Sequence, residues 1–571
     1  MLDKILVRAL SRIRTITNSL RPIHRLPEEI LSLIFTLVPD RGTGRKSQAI
    51  ASIWDTTGIG PVRHIVPLTE VCHAWREILL HESRFWSEVE DFHTVCEDED
   101  DDSEPAVTRP PDYTHYLHRN LTGPLYVHIR TGIPCNQTRQ LLETSGHRIR
   151  GLSIKNTSEP DDSLVPLLVS FPADHLRVCH LEGLNSKTAP TLPLFDHHAP
   201  RLISLQLIHC RIIPSNGFNS LTHLIIDNGP STYNRFLSVL FDLADLLHFL
   251  DACPSLQCLY IRGLCCGDEA QNTPIPETKV ALLKLRKLSI TGSSRSSADF
   301  IITLLSHLLL PPECLIYISP VPPPYLTHIA DTLVGGMTQH RPTAMLVADR
   351  KTNLQKDRIP MNCVTFILVG SQGIQVRLDV LAYPGKSTSR DELHGQVADA
   401  LARCSLFGDI NFVHLPTRMV NSLGRSPCAI LHALPTIEVL IIQLFKAKAE
   451  LRSLAPSRDG STPCPRLRVL SLQTTSVHHL TPILALVTSR RDAGYPLSRL
   501  ALTLVDVPQT RSLEELFVLN CLHDAVGLLQ VLYSRDRGYS VPEDLRWRRK
   551  VPPECASAAE ILPFWPRWST F

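Results

Sequence analysis

Glycine is scarce in this 571-residue chain, with 26 residues against 44 prolines, the reverse of the usual order of about 7% glycine and 5% proline. A collagen-like chain is excluded, and proline at that density suggests many short, stiffly punctuated units. Excess charge is missing as well. Lysine and arginine number 58 against 56 acidic residues, a net +2, so no global field steers the chain onto nucleic acid or an anionic membrane, and any such contact must be local. Long apolar runs are also absent. The longest, IITLLSHLLL at 301–310, contains His307 and is half the roughly 20 residues a bilayer span requires. The 16 cysteines stand singly apart from Cys265 and Cys266, with no short-framework spacing and no secretory leader, so reduced thiols in the cytoplasm or nucleus are expected.

Catalytic signatures are lacking too. No G-x-S-x-G elbow, H-E-x-x-H helix or dinucleotide fingerprint occurs, so nothing in the sequence warrants an enzyme or a cofactor. GTGRKS at 42–47 imitates part of a phosphate loop, but Arg45 separates glycine from Lys46 and no strand precedes it. Cys253, Cys258, Cys265 and Cys266 lack paired C-x-x-C knuckles, so structural thiols are expected rather than a zinc site. The adjacent pairs His197–His198 and His478–His479 diverge on either a strand or a helix and make poor chelates.

What is present is ordinary globular material, 43% hydrophobic and 20% charged, of a length that allows three or four domains by a ratio that fails for solenoids. Residues 1–22 place Leu2, Ile5, Leu6, Ala9, Leu10, Ile13 and Ile16 at three- and four-residue steps with Arg8, Arg12 and Arg14 between them. That spacing predicts an amphipathic helix, expected to pack on the next module; an organelle presequence is the competing reading, opposed by Asp3 and by the sparse serine.

From Leu26 the pattern LPEEILSLIF sets Pro27 at a helix start, Glu28 and Glu29 in the first turn, and Ile30, Ile34 and Phe35 on one face,. PLTEVCHAWREILLHESRFW then spaces Leu68, Val71, Cys72, Trp75, Ile78 and Leu79 helically, with Trp86 one short helix further on. Three short helices with this many large side chains cannot bury them all without a partner. These anchors, Leu26-Pro27-Glu28-Glu29-Ile30-Leu31, Ile34-Phe35, Val71-Cys72-His73-Ala74-Trp75-Arg76 and Phe85-Trp86, closely resemble an F-box. The resemblance implies docking into a Skp-type adaptor and through it a cullin, with Leu26, Pro27, Ile30, Leu31, Ile34, Phe35, Leu68, Val71, Cys72, Trp75 and Trp86 as the adaptor-binding set. One departure is the long separation of the first two helices, which reads as a loop insertion over 39–66, tolerated because closure entropy grows slowly with length.

Residues 97–104, EDEDDDSE, carry seven carboxylates in eight positions and precede a proline-rich stretch, so 91–120 reads as a solvated linker. From 121 onward short apolar runs recur. LISLQLIHCRI, with Leu202, Leu205, Leu207, Cys210 and Ile212, fits the leucine-rich repeat phrase L-x-x-L-x-L-x-x-[N/C]-x-L. Weaker copies begin at Ile149, Leu176, Leu221, Leu256, Leu285, Ile437, Leu467 and Leu497. VTFILVG and IQVRLDV at 364–380 read as a hairpin or adjoining strands,.

The expected fold class is therefore α/β: a three-helix F-box over 23–90, then a curved leucine-rich-repeat solenoid over 121–545 with parallel strands on its concave face, and a cap or tail over 546–571 holding RWRRK and FWPRW,. The combination resembles the large F-box families of mushroom-forming fungi and implies a substrate receptor of an SCF-type ubiquitin ligase, with an unknown protein substrate and neither nucleic acid nor membrane as partner. A repeat scaffold outside ubiquitylation is the alternative, and an unrecognised enzyme the third. Strand alternation is expected to leave Gln206, His223, Tyr260 and Lys287 open to solvent as substrate-binding positions,.

Overall fold

A computed structural model describes residues 2–36, 62–91, 119–129, 136–155, 164–171, 173–184, 191–229, 242–263, 279–292, 296–336, 342–352, 361–370, 373–381, 390–415, 427–444, 451–452, 454–457, 461–505 and 512–534. Mixed α/β structure is built on a large, mostly parallel sheet of 17 strands that does not close into a barrel. The chain divides into two compact units, with the boundary between Cys258 and Leu259.

The first unit begins with α1 (Leu2–Ser19), α2 (Glu28–Thr36), α3 (Val62–Thr69) and α4 (His73–His81). Strands β1 (Glu88–Asp91), β2 (Leu125–Ile129), β3 (Ile149–Lys155), β4 (Val178–Glu182), β5 (Ser204–Ile208) and β6 (His223–Asp227) follow. Each pairs in parallel with the next. Strands begin two residues after the repeat leucines, as at Leu176 and Val178 or Leu202 and Ser204. The register aligns Val127, Leu152, Cys179, Leu205 and Leu224 in one row and Ile129, Ile154, Leu181, Leu207 and Ile226 in another, and all ten side chains are buried. Each row is a continuous apolar layer, the pattern of a parallel sheet buried on the faces that cover it. Cys210, in the polar slot of the phrase, turns its Sγ to the Leu181 carbonyl of the preceding strand at 3.2 Å.

Behind these strands Phe171, Phe195, Phe218 and Phe249 stack with ring centroids 6.1 to 6.2 Å apart, within the range where tilted aromatic pairs attract. Phe249 sits on the helix Leu243–Asp251, which Asp242 caps through the Ala244 N–H at 2.8 Å. The apolar spacing predicts a helix from Phe236, but 230–241 lie outside the described residues.

The second unit holds β7 (Cys258–Arg262) from Leu259 onward, then β8 (Lys287–Thr291) and β9 (Leu315–Val321). In it β10 (Ala344–Thr352), β11 (Met361–Gly370) and β12 (Gly373–Leu381) precede β13 (Phe412–Leu415), β14 (Val439–Leu444), β15 (Val469–Thr474), β16 (Arg499–Val505) and β17 (Leu528–Ser534). Strand β9 pairs in parallel with β12, β11 lies antiparallel between β12 and β10, and parallel pairing resumes from β10 to β13 and onward to β17. The expected pairing across 364–380 is thus the β11–β12 hairpin, closed at Gly370 and Gly373.

Three expectations need correction. The amphipathic helix α1 does not pack on the neighbouring module: its apolar residues Ile5, Leu6, Leu10 and Ile13 are 47 to 62% exposed. The insertion does not reach residue 66, because α3 starts at Val62 and its Ile65 is a core residue. Nor do Leu68 and Trp75 share one helix. The chain breaks at Cys72, which is extended (φ −161°, ψ 169°) and accepts from the Trp75 N–H at 3.5 Å, capping α4; cap geometry of this kind takes the helical run out of phase. Residues 37–61, 92–118 and 535–571, with most of the insertion, the acidic linker and the whole C-terminal tail, lie outside the described residues.

Among the described residues no helix is long and apolar enough to cross a membrane.

Candidate functional site

The helical module has a small core of Leu31, Phe35, Ile65, Leu79, Phe85 and Trp86, against which Ile23, Leu68, Trp75, Ile78 and Leu80 pack. Phe35 and Trp75 meet with ring centroids 4.8 Å apart. Trp86 donates from Nε1 to the Leu79 carbonyl at 2.7 Å. Pro27 stands just before α2, and its carbonyl accepts from the Ile30 and Leu31 amides. Buried Ser32, on the same helix, donates to Glu82 at 3.3 Å and accepts from Arg84.

The eleven anchors therefore separate into three groups. Leu31, Phe35 and Trp86 are interior, Leu68, Cys72 and Trp75 are half-buried, and Leu26, Pro27, Ile30, Ile34 and Val71 are exposed. With Leu33 and Val66, the large apolar members of the exposed group are Leu26 at 38%, Ile30 at 43%, Leu33 at 53%, Ile34 at 37%, Val66 at 40% and Val71 at 50%. Six such side chains on one small module exceed the singly scattered exposed aliphatics normal on a soluble surface. Half-buried Trp75 adds an indole N–H that is shut off from water and has no hydrogen-bond partner among the described residues.

Two polar residues that sequence reasoning missed tie this module to the first strands. Asn120, fully buried, donates from Nδ2 to the carbonyls of Trp86 at 3.3 Å and Pro124 at 3.1 Å. Arg148 donates from Nε to the Gly123 carbonyl at 3.0 Å and from Nη2 to the Asn120 side chain at 3.2 Å; its burial lowers its pKa. Arg119 lies over the Trp86 ring at 4.4 Å. An asparagine or arginine outside a repeat carries no periodic signal, which is why neither was legible in advance.

The proposed substrate positions are placed differently from expectation. Gln206 is 2%, Tyr260 1% and Lys287 8% exposed, while His223 is half-buried. They occupy the strand positions that alternate with the apolar rows, as expected, but they are not open to solvent. The reason at Gln206 is visible in its pairing: His180 Nδ1 and Gln206 Oε1 are 3.1 Å apart across β4 and β5. The same row of polar side chains continues through Glu182, which is 3.7 Å from His180 Nε2 and 2.8 Å from Lys155 Nζ. Burial works to raise the Glu182 pKa, but the hydrogen bonds and charges of His180 and Lys155 outweigh it and hold the carboxyl down at about 2. A depressed carboxylate contributes stability above its unfolded pKa that is lost as pH falls through the folded one. Between about pH 5 and 2 the parent is therefore expected to lose about 2 kcal/mol more stability than Glu182→Gln, measured by denaturant unfolding at stepped pH.

The second unit holds a more deeply buried polar cluster, also unforeseen. Arg377 and Asp379 alternate with the interior Val376, Leu378 and Val380 on β12. Arg377 donates to Asp379 through Nε and Nη2, each at 3.1 Å, and Asp379 also accepts from Thr365 at 2.8 Å and from the Tyr317 hydroxyl at 3.0 Å. Burial alone would lower the Arg377 pKa, but Asp379 and Tyr317 overcome it and raise it. The same burial, with the Asp379 charge, pushes the Tyr317 phenol up. A carboxylate with every neighbour already bonded to it has the character of a structural tie.

An open groove of about 390 Å³ runs along the starts of β3 to β5, lined by Arg150, His175, Arg177, Arg201 and Ser220 among others. Arg201 and His175 are 2.9 Å apart, and neither Arg150 nor Arg177 makes an ion pair among the described residues. The groove presents an accessible basic surface on the first unit.

Burial pushes the thiols of Cys253 and Cys404 up to about 11 and those of Cys210 and Cys464 up to about 12, so they stay protonated and unreactive at neutral pH. Among the described residues no group of three or more His, Cys, Asp or Glu gathers in metal-binding geometry; Cys265 and Cys266 lie outside them. No family model matches the chain, and no curated protein matches it.

Proposed function

We propose that the chain is the substrate-recognition subunit of an SCF-type cullin-RING ubiquitin ligase. The observation that carries this reading is the division of the helical module into a minimal core and six exposed large apolar side chains, Leu26, Ile30, Leu33, Ile34, Val66 and Val71. A module this small retains so much exposed apolar surface when a partner is to cover it, and the resemblance of its anchors to an F-box favours a Skp-type adaptor as that partner. The cullin joins through the adaptor, and a separate subunit performs the transfer. Rate enhancement then comes from the effective concentration of substrate lysines near the charged ubiquitin carrier, which requires no catalytic residue in this chain.

Substrate recognition falls to the repeat units. With Gln206, Tyr260 and Lys287 buried, the basic groove of Arg150, Arg177 and Arg201 is the surface that suits an acidic segment of a protein substrate.

Ile30→Asp with Val71→Asp is expected to weaken capture of purified Skp-type adaptor by about a hundredfold or more, since each places an unpaired charge in an apolar interface. The melting temperature is expected to stay within a few degrees of the parent, because both side chains already face solvent. Failure of the parent chain to capture adaptor, or undiminished capture by the double variant, overturns the reading. Trp75→Ala is less informative, since Trp75 also supports Phe35. Mass spectrometry of partners trapped under proteasome inhibition identifies the substrate, and loss of those partners on Arg150→Glu with Arg177→Glu tests the groove.

A further inference from the structure

The first helix has no place in the adaptor or substrate scheme. Its polar face holds Lys4, Arg8, Arg12 and Arg14, four basic residues against the single acid Asp3, all of them exposed. Among the described residues none of the four basic groups makes an ion pair. Its other face collects Ile5, Leu6, Ala9, Leu10 and Ile13, which at 100° per residue span about 140° of the circumference. Exposure there is 62% at Ile5, 57% at Leu6, 47% at Leu10 and 59% at Ile13. On an 18-residue helix whose stability in a protein comes mostly from packing of its amphipathic face, an exposed apolar face of this breadth needs an occupant.

Charge and width together select one. Leu6, Ala9, Ile13 and Ile16 fall at a and d positions of a heptad, so a second copy of α1 is the first alternative. Yet Ile5 and Leu10 broaden the stripe well beyond an a/d seam, the repeat covers little more than two heptads where three or four are needed, and each copy would bring the same net positive charge. An interface with water on one side and hydrocarbon on the other meets all three features. Arg12 borders the apolar face beside Ile5, and Arg14 lies beyond Leu10 on its other border, where long basic side chains reach outward to lipid phosphates while the aliphatics sink among the acyl chains. We propose that α1 is an interfacial helix that binds anionic lipid surfaces, lying in the plane of the membrane with Ile5, Leu6, Leu10 and Ile13 immersed. The whole chain, with its net charge near zero, contributes no general attraction, so the contact is confined to this segment.

The test uses the full-length protein and cosedimentation with two kinds of vesicle, phosphatidylcholine alone and phosphatidylcholine mixed with phosphatidylserine. Binding to the mixed vesicles is expected to be about a hundredfold tighter than to the neutral ones, given roughly tenfold or less for each net basic residue near the surface. Leu6→Asp with Ile13→Asp is expected to abolish binding, and Arg8→Glu with Arg12→Glu to remove the preference for phosphatidylserine, both with an unchanged melting temperature because these side chains make no core contacts. Binding retained by Leu6→Asp with Ile13→Asp assigns the affinity to another segment and overturns the proposal. So does an absence of vesicle binding, equal binding to both vesicles, or concentration-dependent dimerisation in light scattering that the same variant removes. None of these outcomes depends on adaptor capture, which α2 to α4 provide.

Discussion

Asp379→Ala is expected to destabilise the second unit by about 3 to 5 kcal/mol, because it leaves the Arg377 guanidinium buried without its counter-charge. Arg377 is 3% and Asp379 5% exposed, so water cannot replace the lost partner. The substitution removes two charge-assisted bonds from Arg377 and the acceptors of both Thr365 and Tyr317 at once. Denaturant unfolding followed through the second unit's transition measures the loss, provided that the two units are fitted as separate transitions. Arg377→Met with Asp379→Leu is expected to be less damaging than Asp379→Ala alone, since removing both charges leaves no unpaired ion. If Asp379→Ala costs less than about 1 kcal/mol, the cluster is not the tie its geometry describes.

Leu205→Asp is the second large effect, expected to cost about 5 kcal/mol and to leave little folded first unit under conditions where the parent is intact. Leu205 is fully buried in register between Cys179 and Leu224, so an aspartate there must either ionise inside an apolar layer or fold only when protonated. Amide hydrogen exchange across β4, β5 and β6 reads the result directly, with protection expected to collapse in all three strands together because they share the layer. Arg177→Ala, at the exposed start of the neighbouring strand, is the contrast and is expected to change stability by less than about 0.5 kcal/mol. Retained protection in Leu205→Asp would place Leu205 outside the core.

Much of the strand layout was legible in the sequence. The repeat phrase marks leucines that feed a strand two residues later, and the periodicity of two assigns Leu205 and Leu207 to the interior without reference to any neighbour. The hairpin across Gly370 and Gly373 was legible for the same reason, as two alternating runs around a short turn. The helical module is readable through its anchors, but their exposure is not: Phe35 and Ile34 are adjacent, equally apolar and equally spaced within the pattern, yet one is core and the other surface. Helical period tells which residues share a face and leaves open which face a neighbour covers.

Local pattern determined the class of secondary structure, the apolar layers of the parallel strands and the amphipathic character of α1. Tertiary structure decided what each face meets. It left α1 uncovered where the sequence suggested packing, shut Gln206, Tyr260 and Lys287 away from solvent where alternation suggested exposure, and joined Asn120 to Arg148 and Arg377 to Asp379, Thr365 and Tyr317. Burial and polar pairing depend on residues far apart in the chain, 62 positions for Tyr317 and Asp379 and 74 for Asp331 and Ser405, whereas periodicity is set by a backbone geometry that repeats every two or 3.6 residues; short-range order is therefore written along the chain, and the partner of a face is not.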